Sequence, residues 1–94
     1  MTGRLLIRPV SRADLTEVIR VLTLAGISTR QRAALELYRT APGSRLFAGS
    51  VDGRIVAIAQ SVSFGRTGWL GNVAVDPVWR NRRFGTAMSV AAID

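Results

Sequence analysis

The chain has 94 residues, which is enough for one domain at most, with roughly two-thirds of its unfolded surface buried on folding. It contains no cysteine and no histidine, which excludes a thiolate nucleophile, a Ser-His-Asp triad and a zinc site built from the usual ligands. The net charge is +7 and all thirteen basic residues are arginine. Such a balance favours an anionic partner: a nucleic acid, a phosphorylated cofactor or an acidic protein surface.

The hydrophobic content of 48% and the charged content of 20% are typical of a soluble globular protein. No apolar run approaches the ~18 residues needed to span a bilayer, and the first ten residues lack the apolar core of a signal peptide. Because cysteine is also absent, we expect a cytoplasmic protein with no membrane partner.

The first predicted elements are a strand over residues 5–7, which Pro9 ends, and a helix. Ser11 and Asp14 stand at the spacing of a helix cap, in which the serine accepts from an amide and the aspartate interacts with the helix dipole. Gly26 ends this helix. Its apolar residues recur at helical spacing: Leu15, Val18, Ile19, Leu22 and Ala25.

A second helix is predicted to begin at Ser28, where Gln31 completes a capping box. Residues 41–44, which contain a proline and a glycine, end it. Its apolar side chains are expected to be Ala34, Leu35, Leu37 and Tyr38.

The remaining sequence predicts three strands and a final helix. Two apolar segments flank Asp52-Gly53, the strongest short hairpin signal, and a turn over residues 65–68 precedes a strand over 69–75. Gly71 inside that strand indicates a bulge or a close backbone approach. The last helix begins near Arg83. The order is β-α-α-β-β-β-α, so we predict a single α/β domain over residues 1–94, with helices packed on a mainly antiparallel sheet.

The corner VAVDPVWRNRRFGTA, residues 73–87, concentrates positive charge and backbone donors. Pro77 ends strand pairing and the loop enters a helix whose first amides have no internal partners. Gly85 allows an anion to approach closely, and Arg80, Arg82 and Arg83 raise the local potential. We predict a phosphate-sized anion site here, with an ordinary solvated loop as the alternative. Neither a GxxxxGK[ST] nor a GxGxxG motif is present.

These residues resemble the coenzyme-A-binding motif of the GNAT superfamily of acyl-CoA-dependent N-acyltransferases. The motif is a strand ending V-x-V-x-P, a short loop and then (Q/R)-x-x-G-x-(G/A) opening a helix. Val73, Val75 and Pro77 match the strand half, Arg80 matches the Q/R position, and Gly85 matches the second small position. The opening IRPVSRADL, the two helices, the DG hairpin and the WLGNVAV strand also look like this fold, so the resemblance covers essentially the whole chain.

The resemblance implies a GNAT-like mixed, mainly antiparallel sheet and an N-acetyltransferase that uses acetyl-CoA as co-substrate, with no metal. The acetyl group would pass directly to a primary amine, without an acyl-enzyme. The strand backbone would pair with the pantetheine arm, the loop and helix amides would hold the pyrophosphate, and a backbone amide would polarise the thioester carbonyl. The implied cofactor-binding residues are Val73, Ala74, Val75, Arg80, Asn81, Arg82, Arg83, Phe84, Gly85 and Thr86.

The sequence departs from the motif at two positions. Arg83 occupies the first glycine position, where a positive φ would be costly, and Asn81 also stands where glycine is common. No catalytic residue is assigned. Glu36, Tyr38 and Asp52 are conceivable bases, and each also fits a surface or packing role.

The family fold continues beyond this helix with a further strand, a helix and closing strands. Three interpretations stay open: a truncated enzyme whose activity alone is in question, a chain completed by another copy or a strand-completing partner, or a boundary introduced in cloning. The alternative function is a non-catalytic GNAT-like module that dimerises or binds a partner through its open sheet edge. Nucleic acid is disfavoured as a partner because the chain lacks an array of stacking aromatics and a DNA-reading motif.

Overall fold

The computed structural model of the chain describes residues 4–27, 32–64 and 67–93. Two short 3-10 turns, Arg12–Asp14 and Pro77–Trp79, precede the first and the last helix. The predicted element order is confirmed. The strands and helices, in chain order, are β1 (Leu6–Pro9), α1 (Leu15–Leu24), α2 (Arg32–Thr40), β2 (Ser44–Val51), β3 (Arg54–Phe64), β4 (Thr67–Val75) and α3 (Phe84–Ile93).

The four strands form one antiparallel sheet in the order β1-β2-β3-β4. The hairpin between β2 and β3 turns at Asp52 and Gly53, whose φ angles of 52° and 82° are those of the primed turn that this dipeptide favours. The predicted turn over 65–68 was too long. Thr67 already pairs with Phe64, and Gly68 pairs with Ser63, so β4 begins two residues earlier than the sequence indicated.

The sheet is covered on both faces, with α1 and α2 on one face and α3 on the other. Side chains alternate between the faces of a strand, so the central strands contribute to both cores. The α1/α2 core contains Val10, Leu15, Val18, Val21, Leu22, Leu35, Leu46, Ala48, Ile55, Ile58 and Ala74. The α3 core contains Val51, Val56, Ala57, Ala59, Met88 and Ala92.

Two bulges adjust the register of the central strands. In β3 the pairing shifts at Val56, so Ile55 and Ile58, three residues apart, both reach the α1/α2 core. In β4 the pairing shifts between Gly71 and Ala74, where two residues oppose Ala59 alone. The bulge predicted from Gly71 is therefore confirmed, immediately after that glycine.

The helices follow the predicted apolar patterns with one exception. Leu35 is buried, but Leu37 and Tyr38 are exposed, so α2 presents a narrower apolar stripe than the sequence indicated. The proposed cap from Ser28 to Gln31 lies outside the described residues. Among the helices that the structure describes, none is long and apolar enough to cross a bilayer.

Candidate functional site

The end of β4 presents a free backbone edge. Within the described residues, β4 pairs only with β3. The amide of Asp76 donates to the Val56 carbonyl of β3 (2.8 Å). Because backbone groups of successive residues in an antiparallel strand point alternately to the two sides, the amide and carbonyl of Val75 point away from β3. The carbonyl of Val75 accepts from Nε of Arg80 (3.3 Å).

A 3-10 turn redirects the chain directly after β4. Pro77 supplies its first position, where no amide is needed, and the Asp76 carboxylate accepts from the Val78 amide (3.1 Å). The Trp79 amide then donates to the Asp76 carbonyl (2.8 Å). Asp76 is buried, and its second carboxylate oxygen accepts from Nη1 of Arg20 on α1 (3.3 Å).

The loop that follows is held in an uncommon backbone conformation. Asn81 has φ of 66° and Arg83 has φ of 62°, both in the left-handed region. This region costs a non-glycine residue on the order of 1 kcal/mol, less for asparagine. The strain expected at the Arg83 position is therefore present.

Helix α3 begins immediately after this loop with its first amides open. Arg83 precedes the first helical residue, Phe84, and its side chain offers no hydrogen-bond acceptor for them. The first intrahelical bond joins the Ala87 amide to the Arg83 carbonyl (3.1 Å). The open amides and the positive end of the helix dipole make this terminus suited to an anion.

Three arginines lie in the loop directly before the open helix end, at positions 80, 82 and 83. Arg82 lies over the ring of Trp79, with its central carbon 5.0 Å from the ring centroid. Trp79 in turn stacks on Phe84 at 6.3 Å between centroids. In the part of the chain that the structure describes, Arg80, Arg82 and Arg83 form no ion pair, so their charge is not offset by a neighbouring carboxylate.

The end of β4, the loop after it and the start of α3 line one groove of about 620 Å³. At Gly85 a Cβ would meet only Cγ2 of Val75, at an ordinary 3.8 Å, so packing does not require a glycine there. The groove is lined by Ala25, Ile27, Val73, Ala74, Val75, Trp79, Arg80, Asn81, Arg83, Phe84, Gly85 and Thr86.

The conceivable bases lie elsewhere. Glu36 pairs with Arg39 along α2, Tyr38 is on the exposed face of that helix, and Asp52 is in the hairpin turn. None of them lines the groove as the described residues define it. Within those same residues, no group of three or more carboxylates could hold a metal ion.

The family comparison matches this arrangement. The model of the acetyltransferase (GNAT) family matches residues 14–94, which include the whole sheet after β1, the loop and α3. The chain belongs to the GNAT acetyltransferase family. No curated protein sequence matches the chain significantly.

Solved GNAT structures share the fold. The PaiA N-acetyltransferase of Thermoplasma acidophilum, solved with coenzyme A, has a TM-score of 0.82 at 14% identity, over 96% of this chain and 70% of that one. The ribosomal-protein-S18-alanine N-acetyltransferase of Escherichia coli has a TM-score of 0.83 at 20% identity, over 97% and 58%. The diaminobutyrate acetyltransferase of Paenibacillus lautus, solved with its substrate and coenzyme A, has 0.83 at 16%, over 99% and 58%. The GNAT chain described here thus spans about 58–70% of the length of these relatives.

Most of the residues predicted for the site come together in the groove. Arg82 is the exception, because its guanidinium covers Trp79 and does not line the groove. The sequence missed Trp79, Ala25 and Ile27. The last two follow α1 and reach the groove only through tertiary packing, which no local signal reveals. The coenzyme-binding role of these residues stays a prediction.

Proposed function

We propose that the chain binds acetyl-CoA in this groove and transfers its acetyl group to a primary amine. The observation that carries the proposal is the continuity of a free strand edge, a left-handed cationic loop and an open helix N-terminus along one groove. The volume of about 620 Å³ and this donor set fit an elongated ligand with an amide arm and a diphosphate.

Each part of the groove has a distinct role in this proposal. The outward-facing amide of Val75, with Val73 and Ala74 beside it, pairs with the amide arm of the pantetheine as an added strand would, while the Val75 carbonyl accepts from Arg80. The amides at the start of α3 and the guanidinium of Arg80 hold the pyrophosphate. Gly85 leaves the helix end bare, so the phosphates can approach the backbone.

The chemistry requires little from side chains. The thioester supplies an activated acyl group, and the acceptor nitrogen must be unprotonated to attack it. No described groove residue is a carboxylate or a phenol. The guanidinium of Arg80 is committed to the pyrophosphate in this proposal, so removal of the proton from the acceptor amine falls to solvent water.

The relatives support an amine acceptor. Two of them are named or described with their substrates, the alanine of ribosomal protein S18 and L-2,4-diaminobutyric acid, and both substrates carry primary amines. The particular acceptor of this chain is a separate question, because residues outside the described groove would select it.

The proposal is tested by titrating the 94-residue chain with acetyl-CoA in a calorimeter. We expect saturable binding, and about a tenfold or greater loss of affinity in Arg80→Glu, because the change places a negative charge beside the phosphates. Arg12→Glu is the matched control: it changes the net charge equally but lies in the 3-10 turn before α1, and that helix separates it from the groove by roughly 15 Å. No binding by the unmodified chain, or equal loss in both variants, contradicts the proposal.

The open edge of β4 also supports a second, non-catalytic function. A strand with free amides and carbonyls can pair with a second copy or with a partner strand. The Arg80 guanidinium at the Val75 carbonyl and the like charges of two copies both oppose self-pairing. Binding of acetyl-CoA with transfer of its acetyl group is therefore better supported than pairing through the strand edge.

A further inference from the structure

One partly buried ion pair joins the sheet, α1 and the start of the cationic loop. The Asp76 carboxylate, only 7% exposed, accepts from Nη1 of Arg20 at 3.3 Å and from the Val78 amide at 3.1 Å. Nη2 of Arg20 donates to the carbonyl of Ile55 at 2.7 Å, in the residue before the β3 bulge. The Asp76 amide donates to Val56 within that bulge. Two residues that are 56 positions apart thus join α1, β3 and the 3-10 turn that follows β4.

Neither member of the pair lines the groove. Their contacts end at Val78, and the left-handed residues Asn81 and Arg83 follow a few positions later. A strained backbone persists only where the surrounding structure determines it strongly. Helix α3 fixes the far end of the loop through its packed Met88, and the Asp76–Arg20 pair fixes the near end.

We propose that Asp76 and Arg20 are positioning residues for the anion-binding loop: they set the affinity for the diphosphate of acetyl-CoA without contacting it. This inference rests on the proposed function, because it concerns the same groove. Arg20 is an internal counter-charge that keeps the Asp76 carboxylate in the rotamer that caps the 3-10 turn. Without this ion pair the loop samples other conformations, and only the fraction of molecules with the binding conformation of the loop binds the diphosphate.

The test uses two variants of the pair and one matched control. Asp76→Asn keeps an oxygen for the Val78 amide but removes one of the two carboxylates paired with Arg20, the other being Glu17 at 2.8 Å. Arg20→Gln removes the pair from the other side, and Arg20 is exposed enough to tolerate the change. Asp14→Asn alters another capping aspartate paired with an arginine, at the start of α1 and away from the groove.

Affinity for acetyl-CoA and for ADP is measured by calorimetry at a temperature at which circular dichroism shows each variant folded. We expect about a tenfold loss in Asp76→Asn and in Arg20→Gln, of the same size for both ligands, and no further loss in the double variant. Amide exchange of Ala87, which bonds to the Arg83 carbonyl, should be faster in both variants without ligand. Asp14→Asn should leave the affinity unchanged, and its Ala87 exchange should change no more than that of the core amides, because this variant alters only the global stability.

Unchanged affinity in folded Asp76→Asn and Arg20→Gln overturns the inference, as does an equal effect in Asp14→Asn. If the unmodified chain binds neither ligand, the proposed function fails, and Ala87 exchange alone decides the positioning role. Faster exchange in the two variants then supports a loop held by the pair, and unchanged exchange refutes it.

Discussion

Arg83 combines an unfavourable backbone conformation with a useful charge. Its φ of 62° lies in a region that glycine adopts freely and arginine does not. Glycine at this position would relieve the strain but would also remove a guanidinium from the groove. Stability and ligand affinity therefore make opposite demands on this residue.

We predict that Arg83→Gly stabilises the fold by about 1 kcal/mol while weakening acetyl-CoA binding. In a domain of this size such a gain raises the Tm by roughly 4–8 °C. The control is Arg82→Gly, because φ at Arg82 is not in the left-handed region and its guanidinium packs on Trp79. That variant should be destabilised. A lower Tm for Arg83→Gly than for the unmodified chain contradicts the prediction.

The sequence revealed some residue-level features and not others. The mismatch at Arg83 was visible, because a motif position that demands glycine carries a long side chain. The Asp76–Arg20 pair was not visible, since 56 residues separate its members and no local rule links them. The hydrogen bond from Arg80 to Val75 likewise depends on the path of the loop.

At the scale of elements, the start of α1 depends on one carboxylate. Asp14 accepts from the amide and the hydroxyl of Ser11 (2.8 and 2.9 Å) and from both terminal nitrogens of Arg8 on β1. The hydrogen bonds from Arg8 hold the pKa of Asp14 well below its usual range, despite partial desolvation, and those from Ser11 lower it further. The carboxylate thus joins the first strand to the first helix.

This arrangement predicts a pH-dependent stability. The pKa of Asp14 is lower in the folded state, so the unfolded chain binds the proton first. The contribution of the Asp14 carboxylate to stability is complete above its unfolded-state pKa of about 3.9, and it is lost as the pH falls towards the lower pKa of the folded state. We expect Asp14→Asn to reduce the free energy of unfolding by roughly 1 kcal/mol at pH 7. In urea denaturation, the difference in free energy of unfolding between the unmodified chain and Asp14→Asn should be smaller at pH 2 than at pH 7. An equal difference at both pH values would contradict the role given to the Asp14 carboxylate.

The order and type of the elements were predictable where local chemistry determines them. Asp52-Gly53 fixes a hairpin because both residues must take positive φ, and Gly71 marked the neighbouring bulge. The sequence did not indicate that Thr67 and Gly68 belong to β4. Glycine is uncommon in strands and favours turns, whereas threonine is common in strands, and here pairing of Gly68 with Ser63 and of Thr67 with Phe64 extends β4.

At the scale of the molecule, the free β4 edge and the net charge of +7 act in opposite directions on association. An unpaired strand attracts another strand, whereas like charges separate two copies. Arg80 already occupies the Val75 carbonyl, which shortens the edge available for pairing.

We therefore predict that the chain is monomeric at low ionic strength. Light scattering across a range of protein concentrations provides the measurement, with Arg80→Ala as the variant expected to associate more readily. A concentration-dependent dimer of the unmodified chain would instead favour the non-catalytic alternative.

Every cation that lines the groove is a guanidinium. Guanidinium groups keep their proton at any pH a protein survives, and the chain has neither histidine nor cysteine. The electrostatic potential along the loop therefore stays constant while a solution is taken from mildly acidic to mildly alkaline. A titration of the transfer rate across that interval would then report the protonation of the acceptor amine itself, which makes the pH profile a means of sorting candidate acceptors by their basicity.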